Sequence, residues 1–255
     1  MTMSLCCALV LLIPAVTRAQ ETAGKPGARW YVSWGYNTEN YADTDIRFEQ
    51  PSLGNDFTLH SATMHDYKSW DVWNHAITIP QYSIRIGRFI RKNTAIELNF
   101  DHAKAILPND QNVRLTGTLA GAPADQVVRV GDFVQTYKLN NGANFLLLNL
   151  VQRIPLLGEP GRTGSLALLG KAGVGFMYPH TENTVLGRPN QSGFEFGGFG
   201  AGIEAALRVH PYKGLYVDGA QKGFYGRYRN LNVNQGTASQ DLWAHVSIIS
   251  LGIAW

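Results

Sequence analysis

Eight stretches of this chain alternate apolar residues with small or polar ones at a period of two, the spacing that puts successive side chains on opposite faces of a β-strand. The last, Ser247 to Trp255, sets Ile249, Leu251, Ile253 and Trp255 on one face, in phase with Trp243 upstream. Its other face carries Ser250, Gly252 and Ala254, in phase with Ala244. From Trp30 to Asn37, Trp30, Val32, Trp34 and Tyr36 oppose Tyr31, Ser33, Gly35 and Asn37. Gln81 to Ile90 sets Tyr82, Ile84 and Ile86 against Ser83, Arg85 and Gly87, and Thr94 to Ala105 sets Ile96, Leu98 and Phe100 against Glu97, Asn99 and Asp101.

The remaining four follow the same rule. Asn144 to Ile154 opposes Leu146, Leu148 and Leu150 to Asn149 and Arg153. The fifth sets Leu166, Leu168, Ala172, Val174 and Phe176 against Lys171, Gly173 and Gly175. In the sixth, Phe199, Ala201, Ile203, Ala205, Leu207 and Val209 oppose Gly198, Gly200, Gly202, Glu204 and Arg208. The seventh, Leu215 to Phe224, alternates least well. Short turns at Arg91-Lys92-Asn93, Gly158 to Gly164 and His210 to Gly214 follow segments two, four and six, while longer connections are expected after one, three, five and seven. That asymmetry, with an even strand count, predicts an antiparallel up-and-down transmembrane β-barrel whose termini share the short-turn side. Ten strands is the alternative, because residues 106–143 contain two further alternating pieces, Val113 to Leu119 and Val127 to Leu139, on either side of Gly121 to Asp125. A similar piece near Phe57 to His60 lies in the first long connection.

The start of the chain changes where such a barrel would reside. The apolar run Leu5 to Val16, followed by Thr17-Arg18-Ala19, is patterned as a secretory signal peptide, so residues 1–19 are expected to be removed and 20–255 to form a single barrel domain. The run is shorter than the roughly 20 residues a membrane helix needs. Cys6 and Cys7 fall inside it, which leaves the expected mature chain without a thiol for disulfides, zinc or nucleophilic catalysis. A net charge of +3 without a Lys/Arg cluster gives no footprint for nucleic acid.

The decisive question is which face meets water. The faces opposite the apolar ones carry Arg85, Glu97, Asp101, Lys171, Glu204 and Arg208 among glycines. These charges either face water around a greasy interior, as in a soluble periplasmic lipocalin-like binder, or fill a polar lumen with lipid outside. Trp30, Tyr36, Tyr82, Phe176, Trp243 and Trp255 sit at the ends of the apolar bands, where interfacial aromatics are expected, and favour lipid outside. In segmentation and terminal aromatic the chain resembles the small bacterial outer-membrane β-barrels of the OmpA-transmembrane and OmpW type. The resemblance is architectural and carries no functional motif. It implies residence in the outer membrane among lipid and lipopolysaccharide, assembly through the C-terminal strand by the barrel assembly machinery, and a monomer.

Function is less legible. The six lumen charges are expected to pair into a plug, because unpaired charges in a narrow lumen are costly. A gated path for small solutes is the functional reading of the same residues. An enzyme acting on lipid A or phospholipid acyl chains is the alternative, with Ser61 as nucleophile and His65, or His102 beside Asp101, as base. His60, His65 and His75 have no recognised metal-ligand spacing, so no metal or other cofactor is expected. Tyr67, Trp70 and Trp73 would contact sugars or a partner, or anchor their loop to the headgroups, and the run Gly197 to Gly202 is expected to relieve crowding in a strand or bend it, with no helix start to hold a phosphate.

Overall fold

The computed structural model describes residues 30–66, 81–139 and 142–255. The expected signal segment, Tyr67, Trp70, Trp73 and His75 lie outside the described residues. All eight alternating segments are strands: β1 Trp30–Tyr41, β2 Tyr82–Phe89, β3 Thr94–His102, β4 Phe145–Leu157, β5 Leu166–Met177, β6 Gly198–Tyr212, β7 Leu215–Val233 and β8 Gly236–Ala254. Each pairs antiparallel with its sequence neighbour, and β8 pairs back onto β1 from Tyr31↔Ala254 to Tyr41↔Ala244, which closes an eight-stranded ring. Trp30 and Trp255 exchange backbone hydrogen bonds of 3.0 and 2.9 Å at the same end as the three short turns.

The alternation resolves as apolar outside and polar inside. Trp34, Ile86, Leu98, Leu148, Leu150, Ile203, Ile249 and Leu251 are exposed, whereas Arg85, Glu97, Asn99, Asp101, Lys171 and Glu204 are buried. A barrel with this sense of alternation is built for hydrocarbon around its wall. Crowding in the lumen is relieved by glycine: a Cβ on Gly87 would fall within 2.4 Å of the Tyr31 ring, and one on Gly252 within 2.6 Å of the Tyr216 ring. In the glycine run, a Cβ on Gly200 would come 2.6 Å from Phe224 and one on Gly202 would come 3.0 Å from Lys222.

Three expectations change at the rim opposite the termini. The seventh connection is not a long loop: β7 and β8 are each 19 residues, about twice the 9–11 that cross a bilayer, and Asn234-Gln235 joins them tightly. The strands simply continue beyond the membrane. The ten-strand alternative also fails, because the extra hairpins do not enter the ring. Where β1 ends, β8 pairs instead with Thr44–Gln50, which pairs with Asn55–Ala62, then Asn112–Leu119, then Ala122–Arg129. The third segment stops at His102 instead of Ala105, since Ala105–Ile106 pairs into a second small sheet with Val134–Leu139, His180–Val185 and Arg188–Pro189.

The two sheets bury a second apolar core above the barrel. Ile46, Phe48, Phe57, Leu59, Val113 and Leu115 alternate inward on the first sheet, and Val134, Tyr137, Leu139 and Val185 belong to the second. Phe48 stacks on Phe57 at 5.3 Å and meets Tyr137 edge-on at 5.6 Å. Long connections that bury this much apolar surface make a packed cap.

Candidate functional site

Inward-facing positions of β2 to β7 converge on one charged cluster in the lumen. Arg85 Nη2 donates to Glu204 Oε2 at 2.7 Å and lies 3.9 Å from Asp101 Oδ1, and its Nε is 3.6 Å from Glu97 Oε1. Lys171 Nζ bridges Glu97 and Glu204 at 3.0 Å each. Lys222 Nζ donates to Asp101 Oδ2 at 2.5 Å and to Asn99 Oδ1 at 2.7 Å. Neutral donors complete the shell: the Tyr31 hydroxyl gives to Glu97 at 2.9 Å, Asn149 Nδ2 to Glu97 at 3.0 Å and the Ser83 hydroxyl to Asp101 at 2.5 Å.

Three cations thus meet three carboxylates, and the formal charge of the cluster is zero. Glu97 is 0% exposed, Arg85 1% and Lys222 2%, so water does not reach the lumen at this level. A buried ion pair offsets its desolvation when its partners are also hydrogen-bonded, and Tyr31, Ser83, Asn99 and Asn149 supply such bonds to Glu97, Asp101 and Lys222, whereas Arg85 Nε and Glu204 Oε1 are held by charge alone.

Arg208 does not join the cluster. It makes a bidentate pair with Asp218 at 2.8 and 2.7 Å nearer the termini, its guanidinium 3.7 Å from the Tyr216 ring centroid and 4.8 Å from that of Tyr31. Arg153 lies 4.0 Å over the Phe89 ring and donates to the Lys92 carbonyl, at the level of the first short turn. Sequence reasoning missed Asp218 and Lys222, both on β7. Toward the cap, Phe145 stacks on Phe224 at 3.8 Å, the Tyr228 hydroxyl donates to the Ala143 carbonyl at 2.8 Å, and Glu39 accepts from Asn37 and Gln81.

The residues proposed for hydrolysis are not brought together. Ser61 is exposed on the first cap sheet with φ +51°, and its backbone N–H donates to Asp45 Oδ1 at 2.8 Å. His65 Nδ1 lies 2.6 Å from the Asp66 carbonyl. His102 is buried, stacks on Tyr82 at 4.9 Å and meets Asn144 Oδ1 at 2.9 Å, while Asp101 is engaged by Lys222. His60 instead sits between Asp45 Oδ2 at 2.9 Å and Thr116 Oγ1 at 2.7 Å across three adjacent strands. The three share the solvent face of the cap with the Arg47–Asp56 and Arg114–Asp125 pairs, and the Arg47 guanidinium holds Asp56 below the usual carboxylate range. Among the described residues no group of three or more His, Cys, Asp or Glu could hold a metal ion.

Of the end-of-band aromatics, Trp30 and Trp255 mark the rim at the termini. Tyr36 pairs with Tyr82 across β1 and β2 toward the other rim, where Trp243 lies 4.5 Å from Tyr225 and Phe176 lies 6.2 Å from Phe196.

No protein-family model matches the chain, and no curated protein does. Among solved structures it is similar to the outer membrane protein OprG from Pseudomonas aeruginosa at 11% identity and a TM-score of 0.44, covering 90% of this chain and 97% of that one. Neisserial surface protein A is similar at 7% identity and a TM-score of 0.40, over 90% and 99%. The outer membrane protease OmpT from Escherichia coli is similar at 8% identity and a TM-score of 0.36, over 92% and 100%.

Proposed function

We propose that this chain is an integral outer-membrane barrel with a closed lumen, acting as a structural or surface-binding scaffold that carries a folded cap above the membrane. The observation that supports this reading is the neutral cluster of Arg85, Lys171, Lys222, Glu97, Asp101 and Glu204, buried across the lumen with its charges paired. A solute path would need those pairs to separate in a lumen whose eight strands leave room for little beyond side chains. Its partners are then the surrounding lipid and lipopolysaccharide, with the C-terminal strand offered to the assembly machinery during insertion. The cap's polar face, with Asp45, His60 and Thr116, is the surface available to ligands outside.

Planar-bilayer recordings test this. Heat-modifiable protein inserted into the bilayer gives no single-channel steps, as wild type or as Arg85→Ala. Discrete steps from the wild type would overturn the closed-lumen reading and restore solute passage.

A further inference from the structure

The wall of the barrel is not uniformly greasy. On the outward face of β5, β6 and β7, near the cap, a shallow, open groove of about 460 Å³ is lined by Val174, Phe176, Phe199, Ala201, Tyr225 and Arg227. Strand register explains its shape. One row runs Val174↔Ala201↔Tyr225, and the next row toward the cap runs Phe176↔Phe199↔Arg227. Ala201 is the small residue among large ones, so its row dips between Val174 and Tyr225. Phe199 at 70% and Val174 at 68% are among the most exposed apolar side chains of the molecule.

The level of the groove matters as much as its shape. Tyr225 is ten residues along β7 from Leu215, which is the 9–11 residue length of a membrane strand. Tyr225 and Trp243 therefore stand at the boundary with the headgroups, and Arg227 stands in the headgroup layer. There the cations exceed the anions. Asp241 has both carboxylate oxygens engaged, one by the Tyr225 hydroxyl at 2.7 Å and the other by Arg229 Nη2 at 2.5 Å. Arg227 Nε remains 3.9 Å from Asp241, outside hydrogen-bond range, and its side chain is 62% exposed. Two guanidiniums share one carboxylate directly above an apolar groove.

We propose that this groove binds one phosphorylated lipid of the outer leaflet, the lipid A part of lipopolysaccharide, with an acyl chain against Ala201 and a sugar phosphate on Arg227. Guanidinium and phosphate form charge-assisted, bidentate hydrogen bonds, and the aromatic walls of Phe176, Phe199 and Tyr225 accept a hydrocarbon chain. The site rests on the outer-membrane reading above and names which lipid is held and where.

Native mass spectrometry of the full chain refolded in detergent tests it, with bisphosphorylated lipid A and phosphatidylglycerol as separate probes. Heat-modifiable migration of each sample reports whether the barrel has folded, so failure of the membrane reading is seen separately from failure of the site. Wild type retains one lipid A molecule in preference to phosphatidylglycerol. Arg227→Gln weakens retention about tenfold, the loss of one charge-assisted contact. Ala201→Trp, which fills the groove without touching the charge, weakens it comparably. Arg88→Gln, an outward arginine over Trp30 at the opposite rim, leaves it unchanged. Equal lipid A retention by wild type, Arg227→Gln and Ala201→Trp, or phosphatidylglycerol retained as well as lipid A, would overturn the proposal.

Discussion

Arg208 shows what a single buried charge demands in this lumen. Its guanidinium is forked onto Asp218 and held against two tyrosine rings, each lying over a glycine that gives it space. Removing one partner leaves the other charged and dry, whereas removing both replaces the pair with packing. Arg208→Ala is therefore expected to destabilise the barrel by about 3–5 kcal/mol, and Arg208→Met with Asp218→Leu by clearly less. Urea unfolding in lipid vesicles measures both, and equal losses would contradict the argument. Arg208 was legible in the sequence because β6 is large and apolar on one face and glycine-rich on the other. Asp218 and Lys222 were not. On β7 the inward face mixes Tyr216, Ala220 and Phe224 with the charges, and the outward face carries Gly219, Gln221 and Gly223, so the contrast that marks a strand's two sides disappears. The paired residues could be guessed by type; their partners could not, because pairing depends on register across strands.

At the scale of elements, the barrel strands were readable and the cap was not. Period-two alternation survives in the membrane strands other than β7 because lipid enforces one face and the lumen the other. The pieces near Phe57 and Val113 alternate equally well. Whether such a hairpin enters the ring or peels away depends on where β1 stops pairing with β8, a tertiary event at Tyr41↔Ala244. The cap has its own pH signature through Tyr137, whose buried hydroxyl has no hydrogen-bond partner among the described residues and whose ionisation burial drives well above its ordinary value of 10.0. The folded cap keeps that proton while the unfolded chain gives it up. Stability is therefore independent of this group below pH 10 and falls as pH rises beyond it toward the folded value, because the folded state resists the ionisation the unfolded chain undergoes. Tyr137→Phe is expected to leave neutral-pH stability unchanged or raise it by about 1 kcal/mol, since an orphan hydroxyl is removed, and to flatten the alkaline loss. Thermal unfolding at pH 8 and pH 11 checks this; a variant that loses stability in parallel with wild type would refute it.

At the scale of the whole molecule, the sense of the alternation decides everything else. The same eight strands turned inside out would be a soluble barrel with charges in water and leucines within. The paired charges of the lumen, the aromatics at both rims and the groove under Arg227 follow from one choice of solvent for the wall. Nitroxide labels at positions 148 to 151 of β4, each on a single cysteine in a chain whose Cys6 and Cys7 are replaced, measure that choice directly in lipid vesicles. Labels at Leu148 and Leu150 are predicted to collide readily with oxygen dissolved in the bilayer and poorly with a water-soluble nickel chelate, while those at Asn149 and Val151 are shielded from both. Nickel collisions at 148 and 150 would put water against the apolar wall and contradict the account.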